Sequence, residues 1–316
     1  MLVSTHKRRL RNIGDNMPII IPKGLPAYKS LSDEKIFVMD EARAVGQDIR
    51  PIEIAILNLM PTKETTETQL IRLLSNSPLQ INVTLIKTDS YEPTHVSIGH
   101  MIRFYKSLDE IKKMKFDGMI VTGAPVETIL FEEVKYWNEL EQIFDFADKN
   151  VTSTIYICWG AQAALYHKFK IAKQVLPDKL FGVYPAHAVV ANDMLLKGMD
   201  DTFYIPTSRH TRIDEDALKK NPQIKVLAES DEAGVVIAKT VDNKSFFFTG
   251  HSEYDRFTLC NEYLRDLEKG LPIHKPVNYF LGDSLDKVDM KWRSTANLLF
   301  YNWLNYYVYQ VTPFNL

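Results

Sequence analysis

Residues Ser153–Phe169 read STIYICWGAQAALYHKF. The first part, up to Ile157, is apolar, β-branched and aromatic, and has the length of a buried strand. The second part, Ala161–Phe169, is built from helix formers and contains neither Gly nor Pro. Only Cys158, Trp159 and Gly160 stand between them, so the chain passes from strand to helix without a loop. Such a junction belongs to a parallel sheet, in which each strand feeds a helix that packs back on it.

The same alternation extends toward the amino terminus. IEIAILNLM (Ile52–Met60) predicts a buried strand ended by Pro61, and KETTETQLIRLLSN behind it predicts a helix with Leu70, Ile71, Leu73 and Leu74 on its apolar side. INVTLIKT is the next strand. SLDEIKKM opens with Ser107 and has Glu110 three residues later, the spacing of a capping box. FDGMIVTGAP is a third strand closed by a Gly/Pro turn. FEEVKYWNELEQIFDFADKN predicts one helix with Trp137, Leu140, Ile143 and Phe144 at helical spacing. The fold class is therefore α/β, a mostly parallel central sheet with helices on both faces.

After about Lys173 the pattern becomes short, β-rich and punctuated by turns: KLFGVYPAHAVV, KVLAESD, AGVVIAKT and KSFFFTGHSE. These segments either extend the sheet or flank it antiparallel. Two helices follow, RFTLCNEYLRDLEKG and WRSTANLLFYNWLNYYVYQ. The second is aromatic on several sides, which fits a core or an oligomer contact. With no repeat and no low-complexity linker, residues 17–316 are expected to form a single domain with inserts. The first sixteen residues, MLVSTHKRRLRNIGDN, are basic and carry no apolar core or secretory h-region. They are expected to lie outside the fold, as an extension or alternative start ahead of Met17.

The chain has 316 residues, 45% hydrophobic and 25% charged, with a net charge of −2. No basic stripe interleaved with aromatics suggests nucleic acid, and no apolar run approaches the roughly 18 residues of a membrane span. Two cysteines make neither a disulfide framework nor a structural zinc site. No metal is expected, and Cys158 and Cys260 are expected as free thiols in a reducing cytoplasm.

Cys158 is the first candidate for chemistry. Ligands of open parallel sheets bind beyond the carboxyl ends of the strands, and a helix amino end supplies free N–H groups and a dipole that favours a thiolate. Gly160 lets the backbone approach closely. The arrangement is the cysteine counterpart of a serine nucleophile elbow. A buried apolar cysteine closing a strand fits this stretch equally well. Cys260 has only the second reading, since it lies on an amphipathic helix beside Leu259 and Leu264. A thiol nucleophile needs a base and a group that orients the base. FFFTGHSEYD offers both, with His251 and Glu253 two residues apart after a strand. In an extended segment such residues point to one side.

Cys-x-Gly-x-Gln at 158–162 with His-x-Glu at 251–253 is similar to the class I glutamine amidotransferase-like fold, itself flavodoxin-like. More narrowly, MPIIIPKGLPAYKSL, NLMPTKETTETQLIRLLSNSPLQ, TGAPVE, ICWGAQAAL, KLFGVYPAH, PTSRHT, FFTGHSEYD and NYFLGDS resemble the homoserine O-acyltransferase family of methionine biosynthesis. The resemblance covers nearly the whole chain from Met17. It implies ping-pong acyl transfer from acyl-coenzyme A, with Cys158 as nucleophile, His251 as base and Glu253 orienting it. The acceptor it implies is the γ-hydroxyl of L-homoserine. An oxyanion hole is also required; the Trp159 N–H is one candidate donor, and an amide of the Gly123-Ala124 turn the other. The resemblance further carries substrate binding onto Lys179, Ser208 and Arg265, and implies a homodimer with no permanently bound cofactor.

Glu127, just after the Thr122–Pro125 turn, is expected at the edge that presents Cys158. There it would oppose the carboxylate of a succinyl group, so acetyl-coenzyme A is the expected co-substrate and O-acetyl-L-homoserine the product. The alternatives are a homoserine O-succinyltransferase, a glutamine amidotransferase or cysteine hydrolase of the same fold, and a flavodoxin-like binding module without catalysis.

Overall fold

The computed structural model describes residues 19–34, 36, 38–40, 50–90 and 97–312. The expected extension, residues 1–16, lies outside them, as do Met17 and Pro18. The amino-terminal half runs β1 (Ile19–Ile20), α1 (Pro26–Asp33), β2 (Val38–Met39), β3 (Ile52–Leu57), α2 (Lys63–Leu74), β4 (Ile81–Ile86), α3 (Ile98–Phe104), β5 (Tyr105–Lys106), α4 (Leu108–Ile111) and β6 (Phe116–Val121). Helix α5 (Trp137–Asn150), β7 (Val151–Ile157) and α6 (Trp159–Phe169) follow. The rest comprises β8 (Lys173–Ala188), β9 (Phe203–Ile213), α7 (Glu215–Lys220), β10 (Ile224–Ser230), β11 (Gly234–Thr240), β12 (Ser245–Phe248), α8 (Thr258–Glu268) and α9 (Arg293–Asn302).

The strands join one sheet in the order β2-β1-β4-β3-β6-β7-β12-β11-β10-β8-β9, with β5 on β4. From β2 to β12 neighbours are parallel; from β12 to β9 they are antiparallel. The β-rich second half thus both extends the sheet and turns it antiparallel.

Side chains alternate across the pleat. In β3, Ile52, Ile54 and Ile56 enter one core, which α2 closes with Leu70, Ile71, Leu73 and Leu74, and α9 with Leu299 and Phe300. Ala55 and Leu57 enter the other, closed by Leu140, Ile143 and Phe144 of α5 and by Ala161, Ala163, Ala164 and Leu165 of α6. Each such Leu or Ile withdrawn from water contributes about 1.5–3 kcal/mol. The small alanines of α6 let that helix lie close to the strand ends.

Three expected helices differ in detail. The capping box at Ser107 and Glu110 forms, but its helix stops at Ile111. The segment 131–150 is not one helix: a 3-10 turn at Phe131–Glu133 gives way to an extended Val134, and α5 starts at Trp137. That break buries Phe131, Val134 and Trp137 together, with Phe131 stacked on Tyr166. The last helix changes from α to π after Asn302. Its Trp303, Leu304, Tyr307 and Val308 lie in this chain's own core, so the core and not an oligomer accounts for those aromatics.

Candidate active site

Strand β12 is what assembles the site. It lies parallel to β7 with Phe248 beside Ile157, and the Cys158 N–H donates to the Phe248 carbonyl at 2.7 Å. Both strands therefore end level, and the residues that follow them meet at one edge. Strand β6 ends at the same edge, with Val121 beside Tyr156.

Cys158 sits at the amino end of α6 with φ 50° and ψ −117°. A non-glycine residue rarely takes positive φ, and such strain is stored where the surrounding structure imposes it. Here the sharp elbow sets Cys158 at the end of β7, buried at the margin of the first core. Gly160 makes the elbow fit: a Cβ on it would lie 2.5 Å from the Thr122 carbonyl oxygen. Gly123 faces the same space. A Cβ there would lie 3.3 Å from Cys158 Cβ and 3.4 Å from His251 Cε1, so thiol and imidazole share one small volume beneath the Gly123 backbone. Thr122 fixes that backbone, accepting from the Leu59 N–H at 2.8 Å and donating to the Gly123 carbonyl. The Trp159 N–H lies in the first turn of α6, where no intrahelical acceptor exists.

His251 is held from three sides. Its N–H donates to the Pro206 carbonyl at 2.7 Å. Its Nδ1 meets Glu253 Oε1 at 2.7 Å, and its ring stacks on Tyr254. The pairing with Glu253 was expected from extended backbone, but the reason is different. Residues 252–253 form a turn, and the Tyr254 N–H returns to the His251 carbonyl. Cys158, His251 and Glu253 are all buried. Burial pulls the His251 pKa down, but the Cys158 thiolate, the Glu253 carboxylate and hydrogen bonds to both outweigh it, leaving His251 well above its ordinary value. Such a site can attack a carbonyl carbon and move a proton at the same atom.

The profile of the family described as HTS: Homoserine O-succinyltransferase matches residues 18–314. This chain belongs to that family. It is an acyltransferase, and relatives named homoserine O-acetyltransferase span almost all of it. One from Clostridium acetobutylicum is 56% identical over 301 residues, covering 95% of this chain and 100% of the relative. One from Acetivibrio thermocellus is 55% identical over 301 residues, covering 95% and 99%. Among solved structures, a glutamine amidotransferase from Thermotoga maritima matches with TM-score 0.54 at 10% identity, covering 81% of this chain and 98% of that one. Another from Methylobacillus flagellatus gives 0.52 at 12% identity, over 81% and 95%. Those two show a shared glutamine amidotransferase-like fold.

The residues onto which the family resemblance carries substrate binding lie on β8, β9 and α8, and hydrogen bonds link one of them, Ser208, to the neighbour of His251. Ser208 of β9 lies opposite Phe181 of β8, and its hydroxyl donates to Glu262 on α8 at 2.6 Å. The second Glu262 oxygen accepts from Tyr254 at 2.7 Å, which links Ser208 to the ring that supports His251. Lys179 and Arg265 share one carboxylate, Asp266, at 3.1 Å and 2.7 Å. Lys179 is largely buried, its side chain 9% exposed, against 50% for Arg265.

Glu127 is half-buried. Thr211 Oγ1 lies 2.8 Å from Gln162 Oε1 and 3.3 Å from Glu127 Oε2. Gln162 is on the first turn of α6, its N–H bonded to the Cys158 carbonyl, so Thr211 links Glu127 to the helix that follows Cys158. Tyr254, Glu262, Asp266 and Thr211 went unread in the sequence. Tyr254 and Thr211 lie within stretches that carry the resemblance, but only the fold gives them partners. Cys260 is buried among Phe181, Tyr279 and Trp292, where burial pushes its thiol up.

Among the described residues, no helix is long and apolar enough to cross a membrane.

Proposed function

We propose that the chain transfers an acetyl group from acetyl-coenzyme A to the γ-hydroxyl of L-homoserine through a thioester on Cys158, within methionine biosynthesis. The observation that carries this reading is the elbow thiol of Cys158 sharing one small space with His251 beneath Gly123, in a chain of the homoserine O-succinyltransferase family.

In the first half-reaction the Cys158 thiolate attacks the thioester carbonyl. The Trp159 N–H and an amide of the Gly123-Ala124 turn face the oxyanion. The tetrahedral adduct expels coenzyme A, and the imidazolium of His251 supplies the proton that makes it a thiol. Acylation removes the thiolate charge, the strongest influence holding His251 protonated. His251 therefore emerges neutral, the form a general base needs. In the second half-reaction it takes the γ-hydroxyl proton of homoserine as the oxygen attacks the acyl carbon. Collapse of that adduct expels the Cys158 thiolate and restores the ion pair. Homoserine lies with its carboxylate toward Arg265 and Lys179 and its polar end near Ser208.

The donor is set by Glu127. A succinyl carboxylate about 4 Å away would meet a repulsion of at most about 4 kcal/mol at an effective dielectric near 20; acetyl carries no charge to repel. Relatives at 56% and 55% identity carry the acetyltransferase name, which supports the same choice. Residues 17–316 would form the acyltransferase domain, in a cytoplasmic protein as its free cysteines suggest, and as the homodimer that the family resemblance implies.

Intact mass after incubation with acetyl-coenzyme A, and separately with succinyl-coenzyme A, tests the reading. Acetyl alone should appear on the protein, map to Cys158 and discharge on adding homoserine. A glutaminase activity without homoserine transfer would overturn it.

A further inference from the structure

Glu127 stands half-buried in the loop after β6. A glutamate there has several rotamers to choose from, and its carboxylate gains by turning toward water. It is held instead from inside the protein. Oγ1 of Thr211, a fully buried residue of β9, lies 3.3 Å from Glu127 Oε2. Among the described residues that hydroxyl is the one hydrogen-bond partner of the carboxylate, and no cation forms an ion pair with it. Lys173 donates its Nζ to the Ile129 carbonyl of the same loop at 2.6 Å, not to Glu127.

Thr211 is itself fixed. Its carbonyl accepts from Arg209 Nη1 at 2.9 Å and from Gln162 Nε2 at 3.4 Å. Its Oγ1 lies 2.8 Å from Gln162 Oε1. Gln162 is buried in turn, and its backbone N–H donates to the Cys158 carbonyl at 3.2 Å. A threonine hydroxyl carries a single proton, and here two acceptors share it, Gln162 Oε1 and Glu127 Oε2. Hydrogen bonds thus run without a break from Cys158 through Gln162 and Thr211 to Glu127. This matters because repulsion between like charges depends on where they are kept. A carboxylate held in place opposes a second one, whereas a carboxylate free to turn moves away into water, where distance and solvent weaken the repulsion.

We propose that Thr211 is a positioning residue for donor choice: its hydroxyl ties the Glu127 carboxylate to the helix that follows Cys158, so that the charge stays where it excludes a succinyl group. The proposal rests on the reading of Glu127 as the residue that sets the donor.

The test is the ratio of kcat/KM for acetyl-coenzyme A to that for succinyl-coenzyme A, because a merely structural role slows both donors alike and leaves the ratio in place. Thr211→Val keeps the shape and loses the hydroxyl. A hydrogen bond to a charged group biases its position by about tenfold or more, so the ratio should fall by about that factor. Thr211→Ser, which keeps the hydroxyl, should restore most of it. In a Glu127→Gly background, Thr211→Val should change the ratio no further, since the carboxylate it acts through is gone. The proposal is overturned if Thr211→Val keeps the wild-type ratio while Glu127→Gly alters it, if Ser is no better than Val, or if Thr211→Val has its full effect without Glu127. An unchanged ratio in Glu127→Gly itself removes the reading of Glu127, and the proposal with it. If Thr211→Val does not give a native circular dichroism spectrum, Glu127→Asp decides. It keeps the charge but is one methylene shorter on the Thr211 side, and the ratio should fall as with Val; a wild-type ratio refutes the tether.

Discussion

The Tyr254 ring lies on the His251 imidazole, centroids 4.2 Å apart and planes 19° from parallel. The far end of that tyrosine is fixed by Glu262, and its carbonyl accepts from the Trp292 indole at 2.8 Å. The imidazole is thus clamped on one face and bonded at Nδ1, which leaves Nε2 for the proposed role as base. Tyr254→Phe keeps the stack and loses one hydrogen bond, so kcat should fall by about two- to tenfold. Tyr254→Ala frees the ring and should cost substantially more. Steady-state kinetics on both variants separates the stack from the bond.

Glu253→Gln removes a carboxylate that raises the His251 pKa. Because the folded-state value lies above the ordinary 6.5, the stability this pair contributes is present in full below about pH 6.5 and is lost as pH rises through the folded value. Urea midpoints should show Glu253→Gln less stable by roughly 2 kcal/mol at pH 6, with the gap closing at alkaline pH. A gap that widens with pH would mean that His251 is not the partner stabilised.

Gly160→Ala places a methyl 2.5 Å from the Thr122 carbonyl oxygen, a backbone atom that cannot swing aside. Strand β6 and the elbow must separate. Thermal unfolding should show a loss of about 1–3 kcal/mol, and Cys158 acylation should fall with it. Gly270→Ala makes a useful contrast. No atom lies near its Cβ, although its positive φ adds some strain, so it should leave acylation unchanged.

Asp266→Ala removes the carboxylate shared by Lys179 and Arg265. The two cations then repel one another and lose their fixed positions. The KM for homoserine should rise by about tenfold, while the rate of acetylation of Cys158 by acetyl-coenzyme A stays unchanged. An effect on acylation instead would place these residues on the donor side.

Glu127→Gly should admit succinyl-coenzyme A. Even half of the repulsion of about 4 kcal/mol is more than a tenfold change in the donor ratio. The ratio of kcat/KM for the two donors reads it directly, and an unchanged ratio would remove Glu127 from donor choice.

The sequence by itself determined the parallel half of the sheet, because period-2 strands feeding amphipathic helices leave few other ways to bury both faces. It also determined the Cys158 elbow, since a strand that runs into a helix across three residues can turn only sharply. It pointed to His251 and Glu253, although through extended geometry, where a turn in fact joins them. What only the tertiary structure decided is everything that depends on β12 lying against β7. That pairing is long-range, and no local propensity encodes it. It levels Cys158 with the segment that carries His251, and the His251 N–H meets Pro206 of β9. The break in 131–150 and the burial of Lys179 likewise depend on contacts between segments far apart in sequence. Local pattern fixes which backbone shape is cheap, whereas the position of a buried charge or ring depends on what the rest of the chain packs against it.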